Sequence, residues 1–307
     1  MMSSLKSHLI YFVLKRRLAR FRALELPLPQ IRALRDEESA SRFKLPDGVV
    51  AEPARLAGLA GEWLQTAGKP DSGVVLYLHG GAYVQGSVKT HRALAARLAL
   101  ASASSTFIVD YRLAPEHPHP AALDDALAVY LALRALAPDG SIALAGDSAG
   151  GGLAVALALR LKAEGHACPA ALVLLSPWTD LTLANATHRT RACVDPYFPT
   201  TALLGGAATA YSGGRDLADP LISPQFADLG GLPPTVIHVG EREALLDDSL
   251  VLAAKMREQG TPVELAVYPG MWHVWQVFGG QMKEADDSLG KLGAFLQARL
   301  CDPRATA

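Results

Sequence analysis

The chain has 307 residues, half of them hydrophobic and 19% charged, with a formal net charge of −1. That length and apolar content describe a globular protein with a sizeable core and exclude a disordered chain. The near-neutral charge leaves no electrostatic footprint for nucleic acid.

The N-terminal stretch "HLIYFVLKRRLARFR" holds an apolar run over 9–14, followed by Lys15, Arg16, Arg17, Arg20 and Arg22. The run is too short to cross a bilayer, and the basic residues follow it where a signal peptide carries them in front. A basic amphipathic helix can lie on a membrane surface. The plainer expectation is a helix packing its apolar face on the protein, in a soluble, cytoplasmic chain without stable membrane insertion. Cys168, Cys193 and Cys301 have no metal-type spacing, and their odd number argues against a disulfide framework, which suits a reducing compartment.

The first ~45 residues are predicted to be helical and end in the charged "RDEESASRFK". From residue 74 onward, strands are expected at 74–78, 106–111, 142–145, 171–175, 235–239 and 263–268. Helices are expected between them at 91–102, 121–136, 149–164 and 247–259, with 281–300 closing the chain. Most of the strands are continuously apolar, as in a parallel sheet covered on both faces. The alternation predicts an α/β doubly wound sheet. Residues 182–224 interrupt it, a stretch too long for an ordinary connection. With the N-terminal helices, it reads as a lid over the carboxyl ends of the strands, where open α/β sheets bind ligands. The expected organisation is thus 1–45 as the N-terminal part of a helical cap, 46–181 and 225–307 as the core, and 182–224 as the cap insertion.

"IALAGDSAGGGLAVALALRL" sets Ser148 between a strand and a helix, with Gly146 and Gly150 two residues to either side. This is the pattern of a nucleophile elbow. A sharp turn holds the hydroxyl clear of the sheet, and the close approach of the flanking chains excludes a Cβ at either glycine. The helix N-terminus beneath adds partial positive charge where an oxyanion would form. Earlier in the chain, "LYLHGGAYVQGS" places His79, Gly80 and Gly81 just beyond a strand, where consecutive glycines let backbone N–H groups converge on one point. Gly80, Gly81 and Ala149 are the expected oxyanion donors, and His79 an orienting residue for that loop.

These motifs, with "DYRLAPEHPHPAALDDA" (110–126), "SPWTDL" (176–181), "DPLISP" (219–224) and "MWHVW" (271–275), resemble in kind and order the hormone-sensitive lipase family of α/β-hydrolases. The resemblance runs from about residue 70 to the end, with Ala82 where that family often carries glycine. It implies an α/β-hydrolase fold, with a mostly parallel sheet, helices on both faces and a helical cap. It also places the histidine of a Ser–acid–His triad after the last strand, which selects His273. The family's acid is usually an Asp two residues before a Leu, and in "HVGEREALLDDS" that position is Glu243, followed by Leu245, Asp247 and Asp248. Asp247 is the alternative acid, with capping of the helix that begins there as its competing role. His238 falls inside a strand and reads as a core residue. His117 and His119 fall in a proline-rich loop, where a metal site with Glu116 is the minor alternative.

The implied chemistry is hydrolysis of short- to medium-chain carboxylic esters through an acyl-enzyme, with no metal or organic cofactor. Tyr83, Tyr197, Phe198, Tyr211 and Trp272 are the candidates for lining an apolar substrate pocket. The same triad serves lactonases and small-molecule deacetylases, and a non-catalytic ligand-binding homologue or a membrane-acting lipase are the readings from other classes. The resemblance is also compatible with a homodimer.

Overall fold

In the computed structural model, residues 3–66, 72–137 and 141–300 are described; Cys301 lies outside them. The chain opens with helices α1 (Leu5–Arg22) and α2 (Leu28–Arg42), then strands β1 (Val49–Leu56), β2 (Leu59–Thr66) and β3 (Ser72–Leu78). Next come α3 (Val88–Ser102), β4 (Ser104–Val109), α4 (Ala121–Leu136), β5 (Ile142–Asp147), α5 (Ala149–Ala163) and β6 (Leu172–Leu175). Two short helices, α6 (Thr187–Thr190) and α7 (Thr201–Ser212), precede β7 (Thr235–Gly240), α8 (Leu246–Glu258), β8 (Val263–Tyr268) and α9 (Lys283–Leu300).

The strands form one sheet in the order β1-β2-β4-β3-β5-β6-β7-β8. From β4 to β8 every pairing is parallel; β2 is antiparallel to both β1 and β4. Alternate side chains sort the core onto two faces. Leu76, Leu78, Phe107 and Leu144 pack with α4, α5 and α8 on one side, while Val75, Tyr77, Ile108 and Ala143 pack with α3 and α9 on the other. Both faces are covered, which is why these strands read as unbroken apolar runs.

The hairpin β1–β2 was not expected from the sequence. Its two-residue turn, Ala57–Gly58, has positive φ at both positions (49° and 81°), as a hairpin turn of the primed type requires. "VVAEPARL" carries a proline and several exposed polar residues on an edge strand, so neither periodicity nor apolarity marks it. Helix α3 starts before its expected position because Ser87 and Thr90 form a capping box.

Helix α1 also departs from expectation. Leu14 and Leu18 are buried against Met271, Trp272, Trp275 and Phe278 of the segment after β8. Leu9, Phe12 and Val13, from the apolar run, instead stay exposed.

Candidate active site

The parallel strands carry their carboxyl ends to one edge, and five successive loops there meet around Ser148. β3 and β5 are sheet neighbours, so the "HGGAY" loop and the "GDSAG" turn lie side by side. Ser148 caps α5 with φ 54° and ψ −123°, a conformation that side chains seldom adopt. A Cβ on Gly150 would lie 2.0 Å from the Leu78 carbonyl oxygen, and one on Gly146 would lie 2.4 Å from that of Gly150. The turn is pinned by Ser148 N–H donating to Leu175 O (2.9 Å) and Trp178 N–H donating to Ser148 O (2.9 Å).

His273 follows β8 and Glu243 follows β7. The Ser148 hydroxyl donates to His273 Nε2 at 2.9 Å, and His273 Nδ1–H donates to Glu243 Oε2 at 3.0 Å. Ionised Glu243 can only accept, which fixes the proton on Nδ1 and leaves Nε2 free to accept. The other Glu243 oxygen accepts from Ser176 Oγ (2.7 Å) and Gly240 N–H (2.5 Å). Ser176 in turn accepts Val274 N–H at 3.3 Å, tying the acid to the residue after the imidazole. Burial disfavours the imidazolium, but the hydrogen bond and charge of Glu243 outweigh it and hold His273 above the ordinary histidine value.

The competing acids bond elsewhere. Glu241 accepts Gly270 N–H, and Asp248 accepts the N–H groups of Thr179 and Asp180. Asp247 does not cap α8. It exchanges hydrogen bonds with Thr187 at the start of α6, accepting from the Thr187 N–H and donating its own N–H to Thr187 Oγ1.

The loop after β3 differs from expectation by one residue. Gly80 N–H points away from the serine and donates to Asp147 Oδ1 at 3.1 Å. Gly81 and Ala82 line the cavity with Ser148 instead. Their N–H groups and that of Ala149, first residue of α5, have no protein acceptor among the described residues. Asp147 is buried, accepts the Tyr77 hydroxyl (2.8 Å) and lies 3.3 Å from His91 Nε2. Burial works against the charge on both partners, but each holds the other ionised: His91 is raised and Asp147 lowered. His79 stacks on Tyr111 and donates from Nδ1 to Gly80 O at 2.8 Å. Burial drives its pKa down to about 3, so it orients the loop as a neutral ring.

Leu14, Leu18, Phe43, Tyr197, Phe198 and Phe278 are among the side chains walling a cavity of about 190 Å³ over Ser148. Tyr197 and Phe198 approach the His273 ring edge-on, at 5.7 and 5.0 Å between centroids. The other three aromatic candidates lie outside the cavity. Tyr83 and Tyr211 stack on each other at 3.6 Å in the core, and Trp272 is buried under α1. Their size and apolarity were satisfied by packing.

Asp195 was not singled out in the sequence, although Asp195-Pro196 is a turn signal. Its carboxylate accepts the N–H groups of Tyr197 (2.8 Å), Phe198 (3.2 Å) and Ala244 (2.8 Å), joining the aromatic cavity wall to the residue after Glu243. Burial raises its pKa to about 6. Of the other candidates, His238 Nδ1 bonds Ser288 Oγ, His119 Nδ1 bonds the Tyr211 hydroxyl, and Glu116 pairs with Arg32.

Comparison with known proteins places these features in a family. The sequence pattern of the alpha/beta hydrolase fold matches residues 75–277. An acetyl-hydrolase of Streptomyces hygroscopicus is 39% identical over 264 residues, 86% of this chain and 87% of that protein. An esterase of Acinetobacter venetianus is also 39% identical, covering 80% of this chain and 82% of its own length. Among solved structures, a hormone-sensitive lipase from a metagenome library superposes with a TM-score of 0.90 at 39% identity, covering 98% of this chain and all of that one. An esterase of the bacterial hormone-sensitive lipase family gives the same TM-score at 36% identity and the same coverage.

Proposed function

The chain belongs to the hormone-sensitive lipase family of α/β-hydrolases, and we propose that it is a serine carboxylesterase acting on short- to medium-chain esters through an acyl-enzyme. The observation that carries this reading is the unbroken relay from Ser148 through His273 to Glu243, next to the N–H groups of Gly81, Ala82 and Ala149, which have no protein acceptor among the described residues.

Ser148 Oγ attacks the ester carbonyl carbon as its proton passes to His273 Nε2. The carbonyl oxygen takes up the negative charge and is held by the N–H groups of Gly81, Ala82 and Ala149, which no protein acceptor occupies among the described residues. Collapse breaks the bond to the alcohol oxygen, which takes the proton from His273. Water then attacks the acyl carbon and gives its proton to His273, and Ser148 leaves with that proton restored. Glu243 holds the tautomer and stabilises the imidazolium in both halves.

The cavity of about 190 Å³ is smaller than the ~300–1,000 Å³ of typical ligand pockets and favours a short acyl chain. The relative named acetyl-hydrolase supports the same end of the range.

The test is turnover of p-nitrophenyl butyrate by Ser148→Ala, together with covalent labelling of the parent serine by an organophosphate. Expected are loss of turnover in a folded variant and label on Ser148. Undiminished turnover in the variant overturns Ser148 as the nucleophile; a parent that neither hydrolyses the ester nor takes the label leaves a ligand-binding homologue.

A further inference from the structure

Helix α1 has two faces of different kinds. The inward face is settled on the protein: Leu14 and Leu18 are buried, and Tyr11, Lys15 and Arg22 donate to the carbonyls of Val194, Cys193 and Pro196. The outward face begins with Leu5, Leu9, Phe12 and Val13, which follow i, i+4, i+7, i+8 spacing and are exposed by 92%, 65%, 55% and 50%. It continues in the same stripe with exposed Arg16 and Arg20. Single exposed apolar side chains are ordinary; four on one helix face are a docking feature.

Charge decides what covers it. The charged residues of α1 are Lys6, Lys15, Arg16, Arg17, Arg20 and Arg22, all basic. Arg17 pairs with Glu38, whereas Lys6, Arg16 and Arg20 have no carboxylate partner among the described residues. The Arg16 guanidinium lies 4.6 Å from the centre of the Phe12 ring, so cation and apolar surface form one patch. Apolar groups with only cations beside them match the acyl boundary and headgroups of an anionic bilayer, where each basic residue near the surface adds attraction.

We propose that the outer face of α1 docks on an anionic lipid surface. Leu5, Leu9, Phe12 and Val13 enter the headgroup–acyl boundary, and Lys6, Arg16 and Arg20 meet lipid phosphates. The helix lies flat: no helix among the described residues is long and apolar enough to cross a membrane. Leu14 and Leu18, on its other face, line the Ser148 cavity, so docking brings that wall beside the bilayer.

The experiment is flotation of the full chain with vesicles of phosphatidylcholine alone and with 30% phosphatidylglycerol (about one lipid in three), at low and high salt. Expected is at least about tenfold stronger partition onto the anionic vesicles, weakened by salt. Leu9→Ser with Phe12→Ser, and separately Arg16→Glu with Arg20→Glu, should each reduce it about tenfold, with thermal unfolding and turnover of a soluble ester unchanged. A parent that does not float at low salt overturns the proposal, as does floating unaffected by both pairs. Concentration-dependent dimerisation lost in the Leu9/Phe12 pair, without vesicle binding, also overturns it and assigns the face to a second copy.

Discussion

Asp147 Oδ1 accepts the Gly80 N–H at 3.1 Å, so the residue before Ser148, the proposed nucleophile, holds the loop that supplies two of the proposed oxyanion donors. The same carboxylate is held charged by His91. Asp147→Asn keeps an acceptor for Gly80 and removes the charge, and it is expected to lower kcat by about 10- to 100-fold with little change in KM, since the loop acts on the transition state. Asp147→Ala should also cost about 1–3 kcal/mol of stability, because the buried Tyr77 hydroxyl and the Gly80 N–H lose their acceptor. Steady-state kinetics and urea unfolding test both; parent-like kcat in Asp147→Asn would show that the loop does not depend on the charge.

Ser148 sits at φ 54°, ψ −123°, a strained conformation for any residue with a Cβ. Relief of that strain is of order 1–3 kcal/mol, against about 1 kcal/mol lost to the greater freedom of glycine when unfolded. Ser148→Gly should therefore be as stable as the parent or up to ~2 kcal/mol more stable, while ester turnover disappears. A clearly destabilised variant in a denaturant titration contradicts stored strain at the elbow.

Much of this architecture was legible because each signal was local. Apolar runs marked the buried parallel strands, and a serine between glycines marked a turn that tolerates no Cβ. The family resemblance added Glu243 and His273; local sequence set His238 aside as a strand residue but left Asp247 open as an alternative acid. What escaped depends on contacts between distant segments. Whether the Gly80 N–H faces the serine or Asp147 is decided by one peptide orientation between β3 and β5. Tyr83 and Tyr211 are more than a hundred residues apart and stack on each other, so their chemistry alone could not tell a pocket wall from a core pair. The edge strand β1 carries exposed Val50 and Pro53 among its solvent-facing positions, so its sequence shows no clean apolar alternation.

In the proposed relay the free imidazole is the working form of His273, and Glu243 raises its pKa above the ordinary value. Turnover under kcat/KM conditions should thus fall on the acid side, with a midpoint above that of an unperturbed histidine. Glu243→Gln removes the main raising influence, leaving burial, which disfavours the imidazolium, against the weaker pull of Asp195 and Asp147. The acid limb should then move to lower pH, while kcat drops by about 10²- to 10⁴-fold because the tautomer is no longer held. A pH–rate profile of the variant whose limb stays in place, or moves upward, would remove Glu243 from the relay.

Asp195 gives a stability signature with the opposite sign from a salt-bridged carboxylate. Its folded pKa is raised from 3.8 to about 6, chiefly by burial, so the folded state retains a proton that the unfolded state has released. Its contribution is therefore most favourable below pH 3.8 and is lost as the pH rises to about 6. At ~1.4 kcal/mol per pKa unit, the full loss is on the order of 3 kcal/mol. Asp195→Asn does not titrate and keeps an acceptor for Tyr197 and Phe198, but leaves the Ala244 N–H without one, a pH-independent cost of about 1–3 kcal/mol. The quantity to follow is the parent's stability minus the variant's, from urea titrations across that range. Other carboxylates cancel in this difference, which should fall as pH rises and level off above about pH 6. A flat difference would mean that Asp195 is ionised throughout, and that the aromatic wall beside His273 is held by a charge and not by a proton-sensitive carboxyl.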